Sequence, residues 1–463
     1  MQDALSRRRG GVLCHITSLP GPAAAGTLGA GASAFLDFME QSGLTVWQIL
    51  PLNPPDSYGS PYHSASLFAL DRALLDPGLE LTSASRVKQY AQVRSDAFER
   101  FITSQAFWLP DFCRFSVAAR LYGADWSIWP ERLRLRDGST LEEFDRIHAE
   151  EMELVRLYQF AIDDGCANLR VDAAARGVLL FGDMPLYPAY DSADVWAHQD
   201  LFLLDDAQRS RYVAGVPPDY FSATGQLWGN PVYDWDRMAA SGFVWWLERL
   251  QRQLRLLDIV RIDHFRGLQA FWAVPPHALN AVDGSWRYAP GRALLQAFKE
   301  RFGQLPLVAE DLGVITPDVD ALRDEFSLPG MRVLQFAFSG DRDNPHLPGN
   351  YETNTVAYTG THDNDTAVGW YAGLDDRTRG DVDVLAGINE EVPWKLIEVV
   401  FRSPANLAIV PLQDFFGLDS RHRMNTPGLT GGNWRWRFDG HRLTAELARR
   451  IRSLLVTSGR VSE

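Results

Sequence analysis

Lysine and cysteine are both scarce in this sequence, and each shortage closes a line of function. Of 45 basic residues in 463, only Lys88, Lys299 and Lys395 are lysines, and none follows a glycine. The phosphate-cradling GxxxxGK[ST] loop is therefore absent, and nucleotide hydrolysis loses its main support. The three cysteines, Cys14, Cys113 and Cys166, are odd in number, far apart and in no CxxC spacing. That argues against a disulfide framework or a structural zinc site and for a reducing cytoplasm. GxSxG and HExxH do not occur, and Gly26, Gly29 and Gly31 stand in the wrong order for GxGxxG, so serine-hydrolase, zinc-protease and dinucleotide-binding readings are weak. The segment THDND offers His362, Asp363 and Asp365 as metal ligands but lacks the glycine and distal Glu of an EF-hand loop. No metal and no cofactor is expected.

Long apolar runs are missing as well: nothing approaches the roughly 20 residues of a membrane helix. Arg7, Arg8 and Arg9 ahead of GGVLCHITSLPGPAAAG superficially resemble a leader, but His15 interrupts the apolar stretch within a few residues. VLCHITSLP reads better as a buried strand ending in a polar turn. A formal net charge of -14 without a dense basic run argues against nucleic acid or an anionic membrane as partner. A neutral ligand suits the chain better.

What is present is a series of eight short apolar runs followed by turn residues, at 11–15, 46–51, 178–183, 258–263, 306–310, 331–338, 355–361 and 407–412. Helical patterns at 34–41, 293–302 and 317–325 lie between them, which is βα alternation. Strands buried on both faces in that number predict a (β/α)8 barrel, a single catalytic unit over 1–463. The gap between the second and third runs predicts a helical insertion over 76–170. A loop-rich excursion over 191–246, containing VAGVPPDYFSATGQLWGNPVYDW, is expected to lie over the ligand site, with Tyr220 and Trp228 in a wall that excludes water.

Barrel active sites lie at the carboxyl ends of the strands, so the acids that close the runs are the candidates: Asp183, Asp263, Glu310 and, just past its strand, Asp363. Any one of them alone reads equally well as a helix cap. Asp263 and Glu310 end consecutive runs, however, and neighbouring strands lie about 4.8 Å apart, a spacing that suits the roughly 5 to 5.5 Å carboxyl separation of a retaining glycosidase. Arg261 precedes Asp263 by two residues and shares its face, where it holds Asp263 ionised, while Leu307, Val308 and Ala309 make an apolar setting that keeps a proton on Glu310. Sugar rings stack on aromatic side chains; among the 15 tryptophans, Trp228 in GQLWGN is the best ligand candidate, with Tyr58 and Tyr62 in DSYGSPYHS beside it. His362 is read as a donor to sugar hydroxyls.

Taken together, these segments resemble the amylomaltases, the 4-α-glucanotransferases or disproportionating enzymes of glycoside hydrolase family 77. The resemblance runs in order through HITSLPG, SPYHSAS, GDMPLYPAYDSADVW, VAGVPPDYFSATGQLWGNPVY, VRIDHFRG, VAEDLGVITPDV, LPGMRVLQFAF, YTGTHDNDT, RMNTPG and GNWRWR. It implies that Asp263 is the nucleophile, Glu310 the general acid/base and Asp363 the carboxylate that holds sugar hydroxyls and distorts the ring, with Arg261 orienting Asp263. It further implies sugar contacts from Tyr62, Asp183, Trp228, Asn230, His362 and Asn433, and a remote glucan contact from Tyr58. Its partners would be malto-oligosaccharides, amylose or glycogen-type glucans, and its acceptor a sugar rather than water. Rival readings are an amylase-like hydrolase and a non-catalytic glucan-binding barrel. Two departures from the family pattern, a turn YGSPYHS that is one residue short and an abbreviated segment at 76–108, bear on donor length and on any second glucan site.

Overall fold

Each of the eight apolar runs holds a strand: β1 (Arg9–Leu13), β2 (Val46–Gln48), β3 (Leu179–Met184), β4 (Ile259–Ile262), β5 (Leu307–Ala309), β6 (Gly330–Val333), β7 (Thr355–Tyr358) and β8 (Leu407–Pro411). The computed structural model describes all residues except 1, 2, 80, 82, 219–221, 388–390 and 462–463. Within it the strands form one parallel sheet in the order β6-β7-β8-β1-β2-β3-β4-β5. The seam between β5 and β6 is closed by the Ala309 N–H donating to the Pro329 carbonyl at 2.9 Å. Asp311 rivets the same seam: one carboxylate oxygen accepts the Met331 N–H at 2.6 Å, and the other accepts Arg323 at 2.5 Å and Arg332 at 3.0 Å. The expected (β/α)8 barrel is the fold.

Period-two alternation sorts the strand side chains into two cores. Leu13, Val46, Phe181, Ile259, Val308, Met331, Val356, Tyr358 and Ile409 fill the barrel interior. Val12, Trp47, Leu180, Val260, Leu307, Ala357 and Val410 face outward into the larger core shared with the helices. The same alternation lifts Asp183 above Phe181, Arg261 above Ile259 and Glu310 above Val308, so the polar residues crown an apolar floor.

Helices Ala30–Ser42, Gly291–Phe302 and Pro317–Glu325 occupy the patterns at 34–41, 293–302 and 317–325. The sixth run is shorter as a strand than as a pattern, because after Val333 the chain turns into a 3-10 helix, Leu334–Phe336. Between β2 and β3 the chain carries helices Ala84–Val93, Ser95–Ser104, Leu109–Tyr122, Gly138–Ile147 and Ala149–Ala175. The excursion at 191–246 is not only loop. Its strands Val213–Val216 and Gln226–Pro231 join Ala270–Val274 and Ser285–Tyr288 in a four-stranded antiparallel sheet. Gly and Pro within VAGV and QLWGNP hide these strands from a pattern reading, and their pairing partner lies some distance along the chain. Tyr220 lies outside the described residues. Among those described, no helix is long and apolar enough to cross a membrane.

Gly11 sits on the inner face of β1, where a Cβ would come within 2.4 Å of Ile409 Cδ1 and 2.7 Å of the Val46 carbonyl oxygen. Gly11→Ala is therefore expected to cost about 2 kcal/mol through overpacking and to lower the midpoint of thermal unfolding; an unchanged midpoint in calorimetry would show that the barrel interior has room to spare.

Candidate active site

The parallel ladder carries the two central acids one residue past their strands. The Asp263 N–H donates to the Met184 carbonyl and the Glu310 N–H to the Ile262 carbonyl, both at 3.1 Å. Asp263 is thereby tied to the end of β3 and Glu310 to the end of β4, which places both carboxyl groups at the same rim of the barrel.

Arg261 is paired in register with Asp183 across the β3–β4 ladder. One arm of its guanidinium donates to Asp183 Oδ2 at 2.6 Å, and the other meets Asp263 Oδ1 at 2.9 Å. The Tyr62 hydroxyl donates to the same Asp183 oxygen at 2.7 Å. The Asp183 side chain is wholly buried, whereas Asp263 keeps 29% of its side chain open at the barrel mouth. Asp183 thus faces Arg261 and Tyr62 from below, and Asp263 is the member of the chain open toward a ligand.

Glu310 is held by two backbone donors. His264, in the left-handed region at φ 51°, turns its N–H onto Oε2 at 2.7 Å, and the Leu312 N–H reaches Oε1 at 3.0 Å. A left-handed conformation at a non-glycine residue is uncommon, and here it aims a donor at the carboxyl group. Asp363 comes from the loop after β7. Asn425 donates to its Oδ1 at 2.6 Å, His362 Nε2 lies 3.4 Å from the same oxygen, and Arg423 holds its backbone carbonyl at 2.8 Å.

Burial is the largest influence on both central acids, and it pushes Asp263 and Glu310 above the ordinary carboxyl range; Arg261 is the main opposing charge for each. Asp183, Glu310 and Asp363 push Asp263 further up, while the two N–H donors pull Glu310 back. Arg261 therefore opposes the rise at Asp263 without cancelling it. The apolar setting expected around Glu310 is also only part of its surroundings, since Leu307 and Ala309 face the outer core and Val308 alone lies beneath it. Both acids thus have raised proton affinity, and the protonation of one bears on the other. Burial lowers His362, which is neutral at pH 7.

The aromatic candidates are split. Tyr62 stacks on His362 at 5.2 Å between ring centroids, 8° from parallel, and Trp434 leans on both rings at 5.6 and 5.9 Å. Trp228 stands edge-on to His264 at 4.7 Å, beside the Glu310 anchor. Asn230 is buried and donates to the Pro188 carbonyl at 2.8 Å. Asn433 is committed to its own loop: its amide accepts from the Thr426 N–H at 3.0 Å and donates to the Leu429 carbonyl at 2.8 Å. Tyr58 is 60% exposed, on a turn whose Asp56 carboxylate accepts the N–H groups of Tyr58 and Ser60. Asp365 faces away from Asp363, accepting from the Thr366 N–H at 2.7 Å and the Ser420 hydroxyl at 2.8 Å.

Sequence reasoning passed over Asn425, Arg423, Trp434 and His264. Each lies inside a block already noted, RMNTPG, GNWRWR or VRIDHFRG, so the signal was adjacency to those blocks rather than residue type.

Acids at the ends of adjoining barrel strands, bridged from below by an arginine and faced by a third acid from a later loop, are the equipment of a barrel enzyme that works on glycosidic bonds. The family described as 4-alpha-glucanotransferase, glycoside hydrolase family 77, matches residues 14–93 and 79–444. A 4-alpha-glucanotransferase of Thermus thermophilus is 41% identical over 97% of this chain and 99% of its own length. The chloroplastic/amyloplastic 4-alpha-glucanotransferase of Solanum tuberosum is 40% identical over 99% of this chain and 88% of its own. Among solved structures, the amylomaltase of Streptococcus agalactiae in complex with acarbose superposes with a TM-score of 0.94 at 31% identity, covering 98% of this chain and all of that one. The chain belongs to glycoside hydrolase family 77, the 4-α-glucanotransferases.

The Asp363 charge raises the proton affinity of Asp263. Asp363→Asn is therefore expected to move the acidic limb of the pH–kcat/KM profile to lower pH, because Asp263 then ionises more readily, while the maximum falls by about 10²-fold or more. A profile with an unmoved acidic limb would show that the two carboxylates are electrostatically independent.

Proposed function

We propose that this chain transfers a segment of an α-1,4-glucan to the 4-hydroxyl of another glucan or of glucose by double displacement, with Asp263, Glu310 and Asp363 as its catalytic carboxylates. The observation that carries the reading is the juxtaposition of two acids at one rim: Arg261 occupies Oδ1 of Asp263 at 2.9 Å, while Glu310 follows on the next strand in register.

In the first step the free carboxylate oxygen of Asp263 attacks the anomeric carbon, the bond from that carbon to the leaving oxygen breaks, and the Glu310 proton passes to the departing glucan. Positive charge building on the sugar favours the carboxylate form at Asp263, which leaves the proton with Glu310. In the second step Glu310 takes the proton of the acceptor's 4-hydroxyl as that oxygen attacks, and the bond to Asp263 breaks. Two inversions give net retention. Asp363, fixed by Asn425, accepts sugar hydroxyls and favours the distorted ring; the Tyr62–His362–Trp434 stack provides an apolar wall with a donor at its edge.

Trp228, Asn230, Asn433 and Tyr58 line the approach for longer glucans in this reading, and the loop over 191–246 keeps water from the glycosyl-enzyme. Malto-oligosaccharides, amylose and glycogen-type glucans serve as donors and acceptors. Three buried free cysteines fit a reducing, cytoplasmic setting.

Incubation with maltotriose tests the assignment. Transfer redistributes oligosaccharide lengths with total reducing ends nearly constant, and Asp263→Asn lowers that rate by about 10³-fold or more. Reducing ends that climb in step with product would make the chain a hydrolase, and unchanged lengths would make it a binding barrel.

A further inference from the structure

Beneath the Arg261 bridge lies a set of polar atoms that the bridge itself does not satisfy. Asp183 spends one oxygen on both Tyr62 and Arg261, and its other oxygen, Oδ1, is buried without a protein partner. The Tyr358 hydroxyl and Gln48 Oε1 are buried in the same way with no bond of good geometry, the phenol lying within hydrogen-bonding reach of the Gln48 side chain. Tyr358 ends β7 and Gln48 ends β2, both on the inner face of the barrel. β7 stands four places from β3 in the eight-stranded order, on the opposite wall. The phenol thus reaches across the barrel, where it lies against Gln48 and within the field of Asp183 and Arg261.

A buried carboxylate oxygen left without a donor is costly, and two further polar atoms on the inner face of the barrel that lack a well-formed bond call for a shared solution. Their hydrogen-bonding capacities fit a single water molecule. It would accept the Tyr358 O–H and donate its two protons to Asp183 Oδ1 and Gln48 Oε1, filling three of the bonds that a buried water ordinarily makes.

We propose that Tyr358 and Gln48 are positioning residues that, through one internal water, fix Asp183, and through Asp183 the guanidinium that orients Asp263. This rests on the assignment of Asp263 as nucleophile. Tyr358 touches no reacting atom; it acts at the base of a chain running from water to Asp183 to Arg261 to Asp263. The ring itself belongs to the apolar floor, so deleting the hydroxyl alone separates the two contributions.

The experiment is a double-mutant cycle with maltotriose as substrate, using Tyr358→Phe, Arg261→Lys and the pair, with Asp263→Asn and Gln48→Leu measured alongside. Tyr358→Phe is expected to keep the thermal midpoint within a few degrees, lower kcat about tenfold and leave KM within twofold. Gln48→Leu, which removes the other anchor, should lower kcat in the same way. In the Arg261→Lys background the Tyr358 change should have little further effect, because both act on one chain. An unaltered kcat in both Tyr358→Phe and Gln48→Leu, or losses that multiply independently of Arg261, would overturn the proposal. If Asp263→Asn kept full turnover, the nucleophile assignment itself would fall; if it abolished turnover while Tyr358→Phe and Gln48→Leu were silent, only the positioning role would.

Discussion

The site depends on one buried cation. Arg261 stands between Asp183, which has no exposed surface, and Asp263, which faces the barrel mouth, at 2.6 and 2.9 Å. A guanidinium taken out of water is costly unless its planar donors are met in good geometry, and breaking such a pair leaves an uncompensated buried charge. The parallel ladder supplies that geometry, since Asp183 lies opposite Arg261 in register and Asp263 follows two residues later on the same face. A one-residue slip of β4 against β3 would turn Arg261 into the outer core and dismantle the bridge. Fold and chemistry are therefore joined at a single register.

Around that cation the acids outnumber it. Burial raises Asp263 most, Arg261 is the main opposing charge, and Asp183, Glu310 and Asp363 add to the rise. Four acids around the site make it complementary to an oxocarbenium-like transition state, the species that carries positive charge during transfer. Nothing in this electrostatic arrangement distinguishes sugar from water as acceptor. The proposed source of that preference is the walls: the Tyr62, His362 and Trp434 stack, and Trp228 with His264.

The barrel was legible in the sequence because its strands are buried on both faces and read as short unbroken apolar runs, as LVA before Glu310 and IVRI before Asp263 do. Asp263 and Glu310 were legible for the same reason, as acids that close such runs. The antiparallel sheet over 213–288 was not, since its strands take their identity from pairing rather than from pattern. The partners of Asp363 were also hidden: Asn425 and Trp434 reach it, or its neighbour His362, from a loop some 60 residues away, through contacts that no local spacing encodes. In the same loop Asn433, read as a sugar contact, also braces the turn that presents Trp434, a role the motif did not announce. His264 was invisible as a side chain since its contribution to Glu310 is a backbone N–H aimed by a left-handed turn.

The most direct test of the account is to trap the glycosyl-enzyme. With Glu310→Gln and α-maltosyl fluoride, the leaving fluoride needs no acid, so attack by Asp263 proceeds, whereas release of the intermediate lacks its base. Mass spectrometry of the quenched, digested protein should find a maltosyl adduct on the peptide carrying Asp263. An adduct on any other residue, or turnover of the fluoride with no adduct at any time point, would contradict a double displacement centred on Asp263 and Glu310.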